Sequence, residues 1–158
     1  MRAATDARIV DYDREFGDAF ARLNREWLEK YFEVEAIDRQ ILGDPEATIL
    51  RQGGAILYCV VGGTAVGTVA LKHDGAGVYE LTKMAVTERY QGRGLGRLLM
   101  RAAIDRFDEL NGIRLYLESH SSLSSALSLY ESAGFRHRLP PKPSDYDRAD
   151  VYMVYHVD

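Results

Sequence analysis

A single cysteine, Cys59, stands among 158 residues. One thiol excludes an intrachain disulfide and any zinc site built from several cysteines. Cys59 lies inside the apolar run Ala55–Val61 and reads as a small buried hydrophobe. The four histidines, His73, His120, His137 and His156, fall at no metal-ligand spacing. No Gly-x-Ser-x-Gly elbow offers a serine nucleophile, so neither a metal nor a covalent enzyme intermediate is expected. No run approaches the roughly 18 apolar residues of a membrane span. The opening Met1-Arg-Ala-Ala-Thr-Asp lacks the apolar stretch of a signal peptide. A soluble cytoplasmic protein without a membrane partner is the expectation. A basic excess is missing too: 20 Lys+Arg face 24 Asp+Glu, a formal net charge of −4. That balance disfavours nucleic acid as a partner.

What is present suits one folded domain over residues 1–158. The hydrophobic fraction is 46% and the charged fraction 28%, ordinary globular values. Arg8–Asp13 alternates weakly and is expected as a first strand. Phe16, Phe20, Leu23, Trp27 and Tyr31 share one face of a helix expected over Arg14–Phe32. A second helix over Glu35–Leu42 stops at Gly43-Asp44-Pro45. Ala55–Val61, Ala65–Leu71 and Val78–Val86 read as a meander of strands, joined at Gly62-Gly63-Thr64 and Asp74-Gly75-Ala76-Gly77. A helix follows over Leu95–Leu110, then a strand at Ile113–Leu117. Ser122–Ala133 is expected as a helix with a serine N-cap. Phe135–His137 and Val151–Val157 close the chain as strands, around a proline-rich loop at Leu139–Asp147. The order predicts a mixed α/β domain, a mostly antiparallel sheet of about six or seven strands with about four helices. The helix between Val78–Val86 and Ile113–Leu117 requires one parallel crossover. A homodimer along the closing strands is one assembly this order permits.

The most informative stretch joins the third meander strand to the next helix: Gln91-Gly92-Arg93-Gly94-Leu95-Gly96-Arg97. Glycines let a backbone approach its ligand closely. Amides at a helix start are unpaired and partly positive, which suits a phosphate. Arg89, Arg93, Arg97 and Arg101 add charge there. A P-loop needs Gly-Lys-Ser/Thr, which is absent, and the G-x-G-x-x-G dinucleotide spacing fails at Arg97.

Gln91–Gly96 resembles the Gln/Arg-x-x-Gly-x-Gly/Ala pyrophosphate loop of the GNAT superfamily of N-acetyltransferases. Ala126-Leu127-Ser128-Leu129-Tyr130-Glu131-Ser132-Ala133-Gly134-Phe135 is similar to that family's Ala-x-x-Leu-Tyr-x-x-x-Gly-Phe block. One departure stands out: Leu123 occupies the position where the family often carries a pantetheine-contacting asparagine.

The resemblance implies an acetyl-CoA-dependent N-acetyltransferase with acetyl-CoA between two splayed parallel strands. It implies that the backbone of Met84, Ala85 and Val86 holds the pantetheine, and that the amides of Gln91, Gly92, Arg93, Gly94, Leu95, Gly96 and Arg97 hold the pyrophosphate. It matches Tyr130 to the general acid. Glu80 is the leading base, and Glu118 on the neighbouring strand is its rival. The acceptor amine, belonging to a small molecule or a peptide, is expected between the first helices and the last loop, near Trp27, Tyr31 and Tyr146. A non-catalytic acyl-CoA sensor is the alternative, and a longer acyl chain stays open.

Overall fold

A computed structural model describes residues 6–156; Val157, the last residue of the expected closing strand, lies outside them. Seven strands form one sheet in the order β1-β2-β3-β4-β5-β7-β6. They are β1 (Arg8–Asp11), β2 (Ala55–Val61), β3 (Thr64–Gly75), β4 (Val78–Val86), β5 (Arg114–Ser119), β6 (Phe135–His137) and β7 (Val151–Tyr155). Every neighbouring pair is antiparallel except β4 and β5. Four α-helices flank the sheet: α1 (Ala19–Tyr31), α2 (Ala36–Gly43), α3 (Leu95–Glu109) and α4 (Ser124–Ala133).

The apolar run of β2 is buried on both faces. Ile56, Tyr58 and Val60 pack with Phe20, Leu23 and Leu28 of α1 and with Ile41 and Leu42 of α2. Leu57 and Cys59 point the other way, into a core with Leu99, Met100 and Ala103 of α3. Alternation along one strand thus feeds two cores, one on each side of the sheet.

Two expectations need correction. The helix expected over Arg14–Phe32 is broken: a 3-10 turn covers Arg14–Phe16, and α1 starts only at Ala19. Gly17, at φ 60 and ψ −129, takes a backbone conformation that no helix contains. No serine caps α4: Leu123 holds the N-cap position, with no side-chain cap. The segment after Pro45, unassigned from sequence, forms a π-helical turn at Glu46–Leu50.

A departure in β4 shapes the rest. Thr68 of β3 pairs with Ala85, but Ala70 pairs with Thr82, so β4 carries one residue more than its partner. Lys83 sits in this bulge at φ 55, in the left-handed region. A bulge shifts the alternation of a strand by one. Before it, Tyr79 and Leu81 face the α3 core. After it, Met84 and Val86 pack on that core, while Ala85 joins the α1 side.

The bulge turns Lys83 toward α2, where its Nζ donates to Asp38 Oδ1 at 2.6 Å and to the Tyr146 hydroxyl at 3.1 Å. Arg148 reaches the same carboxylate at 2.7 and 2.8 Å. Asp38 also accepts from the Glu35 amide at 2.9 Å, and Glu35 accepts from Arg148 Nη1 at 3.1 Å. Asp38 is fully buried and Lys83 nearly so. Burial alone would raise the Asp38 carboxyl. The hydrogen bonds from Arg148 and Lys83 outweigh it and hold the group at about 2.

Removing the shared anion leaves the buried Lys83 ammonium facing the half-buried Arg148 guanidinium. Asp38→Asn is expected to cost about 3–5 kcal/mol in urea unfolding. Lys83→Met is expected to cost less, because Arg148 still neutralises Asp38. The Asp38 contribution is fully present above the ordinary carboxylate pKa near 3.8 and fades as pH falls toward 2.

Candidate active site

Strands β4 and β5 pair only over Val78↔Arg114, Tyr79↔Leu115 and Glu80↔Tyr116. Beyond that point they part, and a cavity of about 90 Å³ opens between them. Trp27 and Leu28 of α1 line it from one face of the sheet, and Leu123 and Tyr130 from the α4 side. Glu80, Lys83, Met84, Glu118, His120, Tyr146 and Arg148 complete much of the wall. The cleft therefore runs through the sheet from one side to the other.

The glycine loop sits at the far end of β4. Gln91 Nε2 donates to the Val86 carbonyl at 3.0 Å and ties the loop to the strand end. Gly92 and Gly94 have φ of 79 and 83, and a Cβ at either would meet only open space. Glycine is needed there for the backbone turn. Gly94 caps α3, so the first amides of Leu95, Gly96 and Arg97 lie at a helix start. Leu95 itself is buried in the α3 core and offers only its main chain. At Gly96 a Cβ would stand 3.5 Å from Leu129 of α4, where the two helices approach. The Arg93 guanidinium lies 5.0 Å from the Tyr90 ring centre, and Arg97 donates to Ser132 Oγ at 3.1 Å. A cradle of open amides beside exposed arginines fits a pyrophosphate.

Glu80 is 6% exposed. Burial, then repulsion from Glu118, pushes its carboxyl up to about 7. Glu118, on the same sheet face, accepts from the Ser144 hydroxyl at 3.0 Å and is also raised, by burial first. Tyr130 reaches the cleft from α4 with its ring 6.4 Å from that of Phe135. Burial pushes its phenol up to about 12, with the Ser119 hydroxyl acting in the opposite direction.

The structure brings Met84, Glu80, Glu118, Tyr130, Trp27 and Tyr146 to one cleft. Ala85 turns its side chain into the α1-side core, leaving main chain for a ligand. Tyr31 does not line the cleft: it is 43% exposed and packs on Trp27 at 5.3 Å. Leu123 lines the cleft where the resemblance would have asparagine. His120 binds within its loop, its Nδ1 accepting from the Ser122 amide at 3.0 Å. Sequence reasoning missed Asp38 and Lys83. The one local sign was Glu35 three residues before Asp38, a pairing that forms a capping box at the start of α2. Among the described residues, no group of three His, Cys, Asp or Glu side chains could hold a metal ion, and no helix is long and apolar enough to cross a membrane.

A second cavity, of about 680 Å³, lies outside the splay on the α2 side and shares Glu80, Glu118 and Tyr146 with the first.

Comparison with known proteins agrees with this geometry. The Acetyltransferase (GNAT) family model matches residues 16–135. The N-alpha-acetyltransferase RimI of Mycobacterium tuberculosis is 38% identical over 78 residues, 48% of each chain. The chain spans about a third to a half of the length of the first curated relatives it matches. Among solved structures, a GNAT-family acetyltransferase of Staphylococcus aureus superposes with a TM-score of 0.84 at 22% identity, covering 94% of this chain and 98% of that one. YncA of Salmonella typhimurium, solved with its cofactor acetyl-CoA, does so at 0.75 and 20%, covering 96% and 94%. The glycine loop, the splayed strands and the family match together identify the chain as a member of the Acetyltransferase (GNAT) family.

Proposed function

We propose that the chain transfers the acetyl group of acetyl-CoA directly to a primary amine of a small molecule or peptide, with Tyr130 as general acid and Glu80 as base. One observation carries the reading: Tyr130 and Glu80 enter the same through-sheet cleft from opposite faces. A donor on the α4 side and an amine on the α2 side would then meet between them. The relative named an N-alpha-acetyltransferase supports α-amines among the acceptors.

When bound, acetyl-CoA supplies an activated thioester. The backbone of Met84–Val86 lies beyond the last β4–β5 pair, Glu80↔Tyr116, and its β5-side edge is suited to holding the pantetheine arm. The helix-start amides after Gly94, with Arg93, are suited to the pyrophosphate. Glu80 near 7 is half-ionised at neutral pH, the range in which a carboxylate both accepts and releases a proton readily. Tyr130 stays protonated throughout the working range, so its O–H is always available to a departing thiolate. The phenol is a weaker acid than a thiol near 8.5. Its main contribution is therefore a hydrogen bond aimed at the negative charge growing on sulfur. An acyl-CoA sensor has no need of a dry carboxylate opposite that hydroxyl, which weighs against the non-catalytic alternative.

Tyr130→Phe is expected to lower kcat about 100-fold with the KM for acetyl-CoA nearly unchanged, measured by CoA release with an amine panel. Undiminished turnover would remove Tyr130 from the chemistry.

The wild-type kcat/KM is expected to rise with pH through about 7 as Glu80 ionises, and Glu80→Gln to lose that limb together with about 100-fold in rate. Stability should move the other way. A raised carboxyl binds its proton more tightly in the folded state, so folding loses stability as pH rises from 4.5 to about 7, by about 3 kcal/mol in all. Glu80→Gln should accordingly raise Tm by several degrees at pH 8 and little at pH 4. Thermal unfolding at the two pH values checks this.

A further inference from the structure

Helix α1 gives the inner cavity, between the parted strands, three side chains: Asn24, Trp27 and Leu28. They stand at i, i+3 and i+4, on one stripe of the helix. Asn24 is the one polar residue among them, and it is 2% exposed. Phe20, Leu23 and Leu28 around it are core. An amide on the buried face of a helix is costly to keep unless its polar atoms find partners.

An asparagine side chain offers two N–H hydrogens and two lone pairs on its oxygen. One hydrogen is used: Nδ2 donates to the Phe20 carbonyl at 3.0 Å. A carbonyl only accepts, so the branch on Phe20 is the nitrogen and the other branch is the oxygen. That oxygen, Oδ1, has no hydrogen-bond partner among the described residues. It is not sealed either, because among those residues only the Tyr58 hydroxyl is both closed off and unpartnered. The Asn24 oxygen therefore opens onto the cavity that its residue lines.

Other charged groups of the wall are matched within the protein. Lys83 and Arg148 meet Asp38, and Glu118 accepts from Ser144. Glu80 has no hydrogen-bond partner among the described residues. It stands between Tyr79 and Leu81, which face the α3 core, so it faces the α1 side of the sheet. The cleft thus presents two free acceptors from one face, a carboxylate and an amide oxygen, with Tyr130 on the other. That face also opens onto the outer cavity of about 680 Å³, roofed by the loop from Pro140 to Tyr146, which leaves room for the body of an amine.

A primary amine about to attack a thioester aims its lone pair at the carbonyl carbon and carries two N–H hydrogens. Glu80 can receive one. The second is buried without a partner unless the wall supplies another acceptor. As the nitrogen–carbon bond forms, the nitrogen turns cationic and both N–H groups become stronger donors. One proton then passes to Glu80, the carbon–sulfur bond breaks, and the thiolate takes up a proton to leave as CoA. The other hydrogen stays on nitrogen in the product amide. An amide oxygen suits that second hydrogen, since it accepts a hydrogen bond without taking the proton.

We propose that Asn24 Oδ1 accepts the second N–H of the acceptor amine and thereby selects primary over secondary amines. The inference rests on the transfer reading above and adds to it a binding residue and a selectivity. A secondary amine has one N–H, which Glu80 must receive, so its extra carbon is pressed against the Asn24 oxygen.

The test compares n-butylamine and alaninamide with their N-methyl derivatives in the wild type, Asn24→Leu and Asn24→Ala. Acetyl-CoA binding is followed by calorimetry and transfer by CoA release. Both replacements suit a helix interior, and Asn24→Ala carries the same test if the larger leucine disturbs α1. The wild type should prefer each primary amine about tenfold in kcat/KM, the scale of one hydrogen bond to a charged group. In both variants that preference should fall below about twofold, with acetyl-CoA affinity unchanged. A wild type without preference would overturn the inference. So would variants that lose primary and secondary amines equally, as a structural role or a donor to the thioester oxygen would give. Weaker acetyl-CoA binding in both variants would place Asn24 on the donor and overturn it too. Acetyl-CoA bound with no transfer to any of the four amines would overturn the transfer reading, and the inference with it.

Discussion

The site depends on one buried contact, the Lys83 ammonium on the Asp38 carboxylate. Lys83 occupies a left-handed backbone conformation inside a strand, a placement that costs about 1–3 kcal/mol for a residue other than glycine. The ion pair offsets that cost, and it holds only because Arg148 and the Glu35 amide satisfy the remaining oxygen of Asp38. Through this one cluster the bulge in β4, the start of α2 and the loop before β7 are fixed relative to each other. The Tyr146 ring centre lies 4.6 Å from the Lys83 ammonium and 4.7 Å from the Arg148 guanidinium. That is how the roof of the outer cavity is attached to β4.

The bulge also explains why one strand serves two faces. Glu80 precedes it and faces the α2 side; Met84 follows it and packs on the α3 core. An unbroken strand would put residues 80 and 84 on the same side. With the shift, the carboxylate and the cofactor-side main chain stand back to back across the splay, and Tyr130 reaches in from α4. The dryness that raises Glu80 comes from the same packing. Stability given up at a charged, unpartnered carboxylate is a familiar cost of a functional site.

Much of the fold was legible because its signals are local. The glycine turns, the runs of β2 to β4 and the period of α3 sit within a few residues of one another, and the glycine loop falls between strand and helix as expected. The reading failed where one residue outweighed a pattern. Gly17 broke a helix whose apolar period runs through it, and the period that included Tyr31 left that residue outside the cleft. Tyr130 stands in the Ala126–Phe135 block and Glu80 on the strand that enters the glycine loop, and both line the cleft. Lys83 was not legible in the sequence, since nothing in Val78–Val86 marks which residue is the extra one. Its partners lie 45 and 63 positions away in the chain, and the bond from Arg148 to Asp38 spans 110. Such contacts exist only once the fold has formed.

The central claim is that donor and acceptor meet across the splay between β4 and β5. A crystal structure with a bisubstrate analogue, CoA joined through an acetyl bridge to an amine, tests it most directly. The account predicts the sulfur within hydrogen-bond reach of the Tyr130 hydroxyl, the pyrophosphate on the amides after Gly92 and Gly94, and the amine arm leaving past Glu80 into the outer cavity. An analogue whose amine arm leaves on the α4 side, or whose bridge lies away from both Glu80 and Tyr130, would contradict it.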